Sequence, residues 1–397
     1  MTNDERRAKG RPHSDFVIPS SLDIRHSSLA TDVIASREQL AELLRKIELV
    51  ARIAIDTEAD SLHCYREKLC LLQVSVSANR TDSSRGEPGH DYVVDPLADL
   101  GFAPLCALLE NKEIVLHGAD YDLRLLRRAF DFKPNRICDT VIAARLLGIR
   151  EFSLAALLRQ HFGIELAKGS QKANWARRPL SARMVEYAIN DTRYLLPLAE
   201  LLETELKKVH RFDWFEQSCQ RAIEQAAVDR ARDADETWRI TGSGTLRGRA
   251  AAILRELWRW REREAEAADR PPFHILQNRE LVDAAGRFAE GDVADYRHFS
   301  ARRRQAFREA AERAIQMAEA DWPVSRRRFG TRPSSEITRR IEELKQRRDR
   351  KAAELRLEPA FVAPRTTLES IAADEQRAAS LLVPWQRQLL GVEDSTT

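Results

Sequence analysis

The sequence predicts an α/β domain whose sheet is flanked by helices, followed by an all-helical half. Three observations predict it. Short β-rich runs and amphipathic stretches alternate as far as about residue 205. Strand signals stop after about residue 208, where the chain becomes rich in Ala, Arg, Glu and Leu. Breaks at Arg270-Pro271-Pro272, Trp322-Pro323 and Arg332-Pro333 then divide that half into separate helices.

Taken in order, residues 1–25 are polar, with Gly, Pro and Ser and no period, the composition of a mobile leader. Over 26–207 the apolar spacing predicts strands at Arg52 to Asp56, Leu69 to Val76, Tyr92 to Asp95 and Glu113 to His117. Helical spacing covers Ser36 to Leu49, Phe102 to Glu110, Leu123 to Phe130, Asp139 to Leu147, Leu154 to His161 and Ala182 to Lys207. Ala78 to Asp91 is too long and polar for a tight hairpin and reads as a surface insertion. A helical linker is expected over 208–243, ending at Gly242-Ser243-Gly244, with one helical module over 244–323 and a second over 334–391.

With 397 residues, 43% of them hydrophobic, the chain can bury a core in each of two or three domains. Lys and Arg number 65 against 62 acids, so a net charge of +3 names no partner, and only the distribution of charge is informative. The five cysteines (Cys64, Cys70, Cys106, Cys138 and Cys219) form no C-x-x-C pair, which argues against a disulfide framework or a zinc site and for a reducing compartment. No signal-peptide apolar region and no run of eighteen apolar residues occurs, so a cytoplasmic protein with no membrane span is expected.

The chemistry lies in carboxylates. Residues i and i+2 of a strand share a face, so Asp56 and Glu58 in AIDTEAD project together. Two ionised carboxylates that close repel, and a hard divalent cation with oxygen ligands is the natural remedy. Asp122 follows a strand and opens a helix, at the sheet edge where α/β sites gather. Tyr187 and Asp191, at i and i+4, share one helix face. Each segment also has a plain structural reading: a capped turn with solvated acids, an N-cap that Asp120 would fill equally well, and a packed tyrosine beside a surface aspartate.

In this order the three segments resemble the exonuclease motifs of the DEDD superfamily, in its tyrosine-containing branch, and the flanks resemble the ribonuclease D family. KLCLLQVSV follows the first motif, YVVDPL forms the third strand, CDTVIAARLLG follows the second motif, and FSLAALLRQHFGIEL precedes NWARRPLSARMVEYAINDTRYLLPL. The resemblance covers roughly residues 33 to 205. Leu246 to Ala285 resembles the start of an HRDC domain, a small helical nucleic-acid-binding module. LKQRRDRKAAELRLEPAFVAPRTTLESIA with LLVPWQRQLLG resembles a second, more divergent one.

The resemblance implies a ribonuclease H-like fold and a 3′-5′ exoribonuclease. Asp56, Glu58, Asp122 and Asp191 would hold two Mg²⁺ or Mn²⁺ ions for in-line hydrolysis of the terminal phosphodiester, releasing nucleoside 5′-monophosphates. Tyr187 would orient the attacking water. The partner would be RNA with a free 3′ end, such as a tRNA precursor or another structured RNA. Matching His117 to Leu123 onto the family motif favours Asp122 over Asp120. Asp60 reads as a loop or substrate-side residue, His117 as structural, Asp139 as an N-cap, and His63 as a substrate contact.

The loop AKGSQKANWARRPLS offers Lys168, Lys172, Arg177 and Arg178 for phosphates and Trp175 for base stacking, although Asn174-Trp175 stands where the family usually has Asp-Trp. Other basic runs interleave with acids, but Arg326, Arg327 and Arg328 have none nearby and are the preferred phosphate contacts of the helical half. Two competing readings remain: a DNA 3′-5′ exonuclease using the same motifs, and a catalytically silent nucleic-acid-binding scaffold. The scaffold would be expected to have lost an acid, and all four are present.

Overall fold

The computed structural model describes residues 33–77, 89–167, 169–228, 234–324 and 334–392. The expected leader, positions 78–88 of the insertion, Lys168 and Arg326 to Arg328 lie outside the described residues.

The first half is built on β1 (Val33–Ile34), β2 (Arg52–Ala59), β3 (Leu69–Val76), β4 (His90–Val94), β5 (Glu113–Leu116) and β6 (Arg136–Asp139). The sheet order is β1-β4-β3-β2-β5-β6. Strands β2, β3 and β4 pair antiparallel, whereas β1 on β4, β5 on β2 and β6 on β5 pair parallel. Every residue of β3 is buried, as expected of a central strand covered on both faces, so burial does not alternate there.

The helices between are α1 (Arg37–Glu48), α2 (Ala103–Glu110), α3 (Asp120–Phe130), α4 (Thr140–Leu146), α5 (Leu154–Phe162), α6 (Ala182–Asn190), α7 (Leu195–Lys208) and α8 (Phe212–Ala227). α1 starts in a capping box, with Ser36 accepting from Gln39 N and the Gln39 side chain answering to the Ser36 backbone. The stretch Ala182 to Lys207, expected as one helix, is two. Asp191 ends α6, and Pro197 sits in the first turn of α7, where its missing N–H is not needed.

α8 lies within the expected helical linker. Its Phe215, Cys219 and Ala226 are buried, it packs against β6, α3 and α4, and Arg124 donates to the Gln225 carbonyl at 2.7 Å. α8 therefore also helps to cover the sheet.

Downstream lie α9 (Gly248–Ala267), α10 (Pro272–Ile275), α11 (Asn278–Ala289) and α12 (Ala301–Ile315), around a core of Leu254, Leu257, Trp260, Leu281, Phe299 and Phe307. Then come α13 (Ser335–Leu355), α14 (Pro359–Val362), α15 (Arg365–Ala373), α16 (Ala378–Leu381) and α17 (Pro384–Leu390), around Leu344, Leu368, Ile371 and Leu390. Each cluster has its own contacts with the first half. The Tyr65 N–H donates to Asp269 at 3.1 Å, and Arg66 pairs with Glu266 at 2.9 Å. Trp385 stacks on Trp214 with centroids 5.0 Å apart, and its indole N–H reaches Ser218 Oγ at 3.0 Å.

Candidate metal centre

The carboxyl end of β2 presents Asp56 and Glu58. Asp56 lies opposite Gln73 and Glu58 opposite Leu71, and the ladder shifts register between Glu58 and Ala59, where the strand leaves the sheet. α6 packs on β3 and β4 and brings Tyr187 and Asp191 over this end, while α3 approaches β2 with Asp122.

One carboxylate oxygen from each of Asp56, Glu58 and Asp191 lies within 4.8 Å of the others. Asp122 stands outside this trio and is itself buried, accepting a hydrogen bond from the Thr57 hydroxyl. Its charge is nonetheless felt by all three. Burial first, then Asp122, Asp191 and Glu58, push the Asp56 carboxyl well above its usual range. Burial, Asp191 and Asp122 push Glu58 up to about 8. Asp191 rises to about 7 through burial and Asp122, against the lowering effect of its hydrogen bond with Tyr187. Asp122 rises to about 6 through burial, with the Thr57 hydrogen bond opposing. Burial, then Asp191, Glu58 and Asp56, raise the Tyr187 phenol, which disfavours its acting as a base. An all-oxygen donor set in which each acid destabilises the charge on its neighbours fits a hard divalent cation, and a cation would relieve the repulsion.

Neighbouring residues fall out as follows. Asp120 faces outward, paired with Arg124 at 2.9 Å, so the site receives Asp122 and not Asp120. Asp60 is buried and closes the loop after β2, accepting from Lys68 N at 2.8 Å. The His117 Nδ1 sits 2.8 Å from Thr140 Oγ1, a structural contact. His63 is half-buried with Nε2 3.2 Å from the Lys172 carbonyl, so the loop after β2 touches the basic loop; Lys172 and Arg177 are exposed.

Two expectations for the basic loop are overturned. Trp175 is 1% exposed, packed among Cys70, Leu71, Val93, Ala188 and Ile189, and offers no face to a base. Its ring lies 6.1 Å from that of Tyr187, so it is a core residue beneath the site. Arg178 is not available to phosphate either. Its Nε and Nη2 each reach an Asp95 oxygen at 2.6 Å, Nη2 also meets the Cys70 carbonyl at 2.9 Å, and Nη1 meets the Trp175 carbonyl at 2.7 Å.

Supporting polar residues went unread in the sequence. Gln73 is fully buried, with its amide nitrogen 3.5 Å from Asp56 Oδ2. Ser75 Oγ bridges Asp91 at 2.7 Å and Thr192, the residue after Asp191, at 2.8 Å. The available signal was two polar residues at i and i+2 in an otherwise apolar central strand.

Mixed sheet, helical cover and a convergent acid cluster are features of a ribonuclease H-like exonuclease fold. Residues 32–207 match the family described as 3′-5′ exonuclease, and 250–289 match the HRDC domain. A ribonuclease D of Sphingobium indicum is 29% identical over 256 residues, covering 64% of this chain and 63% of the relative. One from Haemophilus influenzae is 31% identical over 257 residues, covering 64% and 62%. The chain thus spans a little under two thirds of the length of these relatives. Its fold is shared with the solved structures of Escherichia coli RNase D (TM-score 0.65, 21% identity, 91% of this chain and 99% of that one) and of a Bifidobacterium adolescentis protein (0.73, 21%, 90% and 94%). The chain is thus similar to ribonucleases D over about two thirds of its length. Asp56, Glu58 and Asp191 form an acidic cluster that could hold a divalent cation.

Proposed function

We propose that this protein is a 3′-5′ exoribonuclease that hydrolyses RNA from its 3′ end and releases nucleoside 5′-monophosphates, acting in tRNA 3′ maturation or on other structured RNA. The observation that supports this best is the convergence of Asp56, Glu58 and Asp191, with Asp122 coupled to them through charge. These four acids would hold two divalent ions, Mg²⁺ or Mn²⁺, which when bound would supply an acidified water and neutralise charge on the scissile phosphate. Within this scheme the acids fix the ligand positions, Thr57 holds the Asp122 carboxylate, and Tyr187 orients water from one helical turn before Asp191.

The domain division that fits this reading is a nuclease over 26–207, a connecting segment over 208–243, an HRDC domain over 244–323 and a second HRDC-like module over 334–391. His63, Lys172 and Arg177 are the proposed substrate contacts near the site, with Lys168 and Arg326 to Arg328 as further phosphate contacts. Five free cysteines, four of them buried, suit a reducing, cytoplasmic setting, and no helix among the described residues is long and apolar enough to cross a membrane.

The direction of attack is tested with 5′-labelled RNA carrying either a free 3′-hydroxyl or a 3′-phosphate. A ladder shortening from the free 3′ end, with 5′-monophosphates as product, is expected. Internal cuts, or equal decay of both substrates from the 5′ end, would overturn the reading.

A further inference from the structure

Asp139, expected as no more than an N-cap, makes bonds that its own helix does not explain. It ends β6 and is 4% exposed. Oδ1 accepts from Val141 N at 2.8 Å and Ile142 N at 3.4 Å, which caps α4. The same oxygen also accepts from Gly118 N at 3.0 Å, and Oδ2 accepts from Ala119 N at 2.9 Å. These last two residues belong to the turn from β5 into α3. Gly118 has φ +86°, and Ala119 at the N-cap position gives α3 no side-chain cap of its own. The start of α3 is therefore held by a residue twenty positions downstream, and Asp122 is the third residue of that helix.

A second tie runs parallel to the first. Leu116 lies opposite Asp139 in the β5–β6 register, and Thr140 Oγ1 meets the Leu116 carbonyl at 3.1 Å and His117 Nδ1 at 2.8 Å. Thr57 holds Asp122 at its carboxylate, and Asp139 bonds the backbone of the turn that precedes it. A carboxylate is suited to the task because both oxygens must accept.

We propose that Asp139 is a positioning residue for the metal centre: by bonding Gly118 and Ala119 it sets where α3 delivers Asp122. This rests on the reading of Asp122 as a metal ligand.

Two variants separate the tie from the cap. D139N keeps the three bonds to Oδ1 and turns its amide N–H against Ala119 alone. D139S is able to cap α4 but is too short to reach α3. The first readout is the Mn²⁺ concentration giving half of the metal-induced rise in melting temperature, which needs no activity. The second is the split between kcat and KM on single-stranded RNA. For both variants the half-saturating Mn²⁺ concentration is expected to rise about tenfold or more, the usual effect of losing a residue that orients a ligand. kcat should fall with it while KM holds. Wild-type Mn²⁺ dependence and wild-type kcat per folded molecule, with only a lowered melting temperature, would reduce Asp139 to a cap and overturn the proposal. D139N keeps the test available if D139S is too unstable to purify. If wild-type protein binds Mn²⁺ but leaves RNA intact, the exonuclease reading fails while the Mn²⁺ titration still decides the role of Asp139.

Discussion

The hydroxyl of Thr57 donates to Oδ1 of Asp122, so the residue between the two strand acids holds the acid of the following helix. Thr57→Val keeps the shape and removes the donor. A hydrogen bond to a charged group contributes about 1.5–3 kcal/mol, so steady-state turnover of RNA should fall roughly ten- to a hundredfold. Thr57→Ser should restore most of it. Wild-type turnover in Thr57→Val would show that Asp122 needs no such partner.

Mutual repulsion makes the acid cluster costly without metal. Glu58→Gln and Asp191→Asn should abolish RNA hydrolysis yet raise the stability of the metal-free protein by on the order of 1–3 kcal/mol, read by urea titration with chelator present. Loss of stability in both variants would mean that the carboxylates are structural.

The pH dependence has a definite sign. Asp122, Asp191 and Glu58 have folded values near 6, 7 and 8, all raised above ordinary carboxyls. Their contribution to the stability of the metal-free fold is therefore fully present only below about pH 4 and is lost as pH rises from there through 6 to 8. Mn²⁺ offsets that loss, so the melting-temperature rise it induces should be larger at pH 8.5 than at pH 6, with protons released on binding. A rise independent of pH would contradict the coupling.

The basic loop separates two kinds of arginine. Arg178→Ala leaves Asp95 buried and unpaired, and should destabilise by roughly 3–5 kcal/mol. Trp175→Ala should cost about as much by opening a cavity. Arg177→Ala and Lys172→Ala should leave the melting temperature alone and flatten the salt dependence of RNA binding, by about 0.7 in log–log slope for each phosphate no longer neutralised. If Arg178→Ala changed only the salt slope, its pairing with Asp95 would not be structural.

What the sequence disclosed and what it hid follow from how local each feature is. Asp56 with Glu58, and Tyr187 with Asp191, are legible because a strand's period of two and a helix's i, i+4 spacing are properties of neighbours. A strand followed by a helix pointed to Asp120 or Asp122, and only the family resemblance favoured Asp122. Arg178 was misread because its partner lies 83 residues away, and a loop has the same composition whether its cation faces solvent or Asp95. Trp175 was misread for the same reason, since the strand it packs on is distant in the chain. β1 and β6, at two and four residues, are too short to show a period, and they exist because β4 and β5 offer edges to pair with. The break after Asp191 was masked by apolar spacing that continues across it. Gln73 and Asp139 carry no signal of their targets, because their partners are fixed by sheet register and by a turn.

The central claim is tested most directly by incubating the purified chain with matched single-stranded RNA and DNA, 5′-labelled, with Mn²⁺ or with chelator, beside Asp56→Ala. The account predicts that wild-type protein shortens RNA from the 3′ end in preference to DNA, that chelator stops it, and that Asp56→Ala is inactive while still folded. Equal degradation by wild type and Asp56→Ala, or activity that survives chelation, would contradict it.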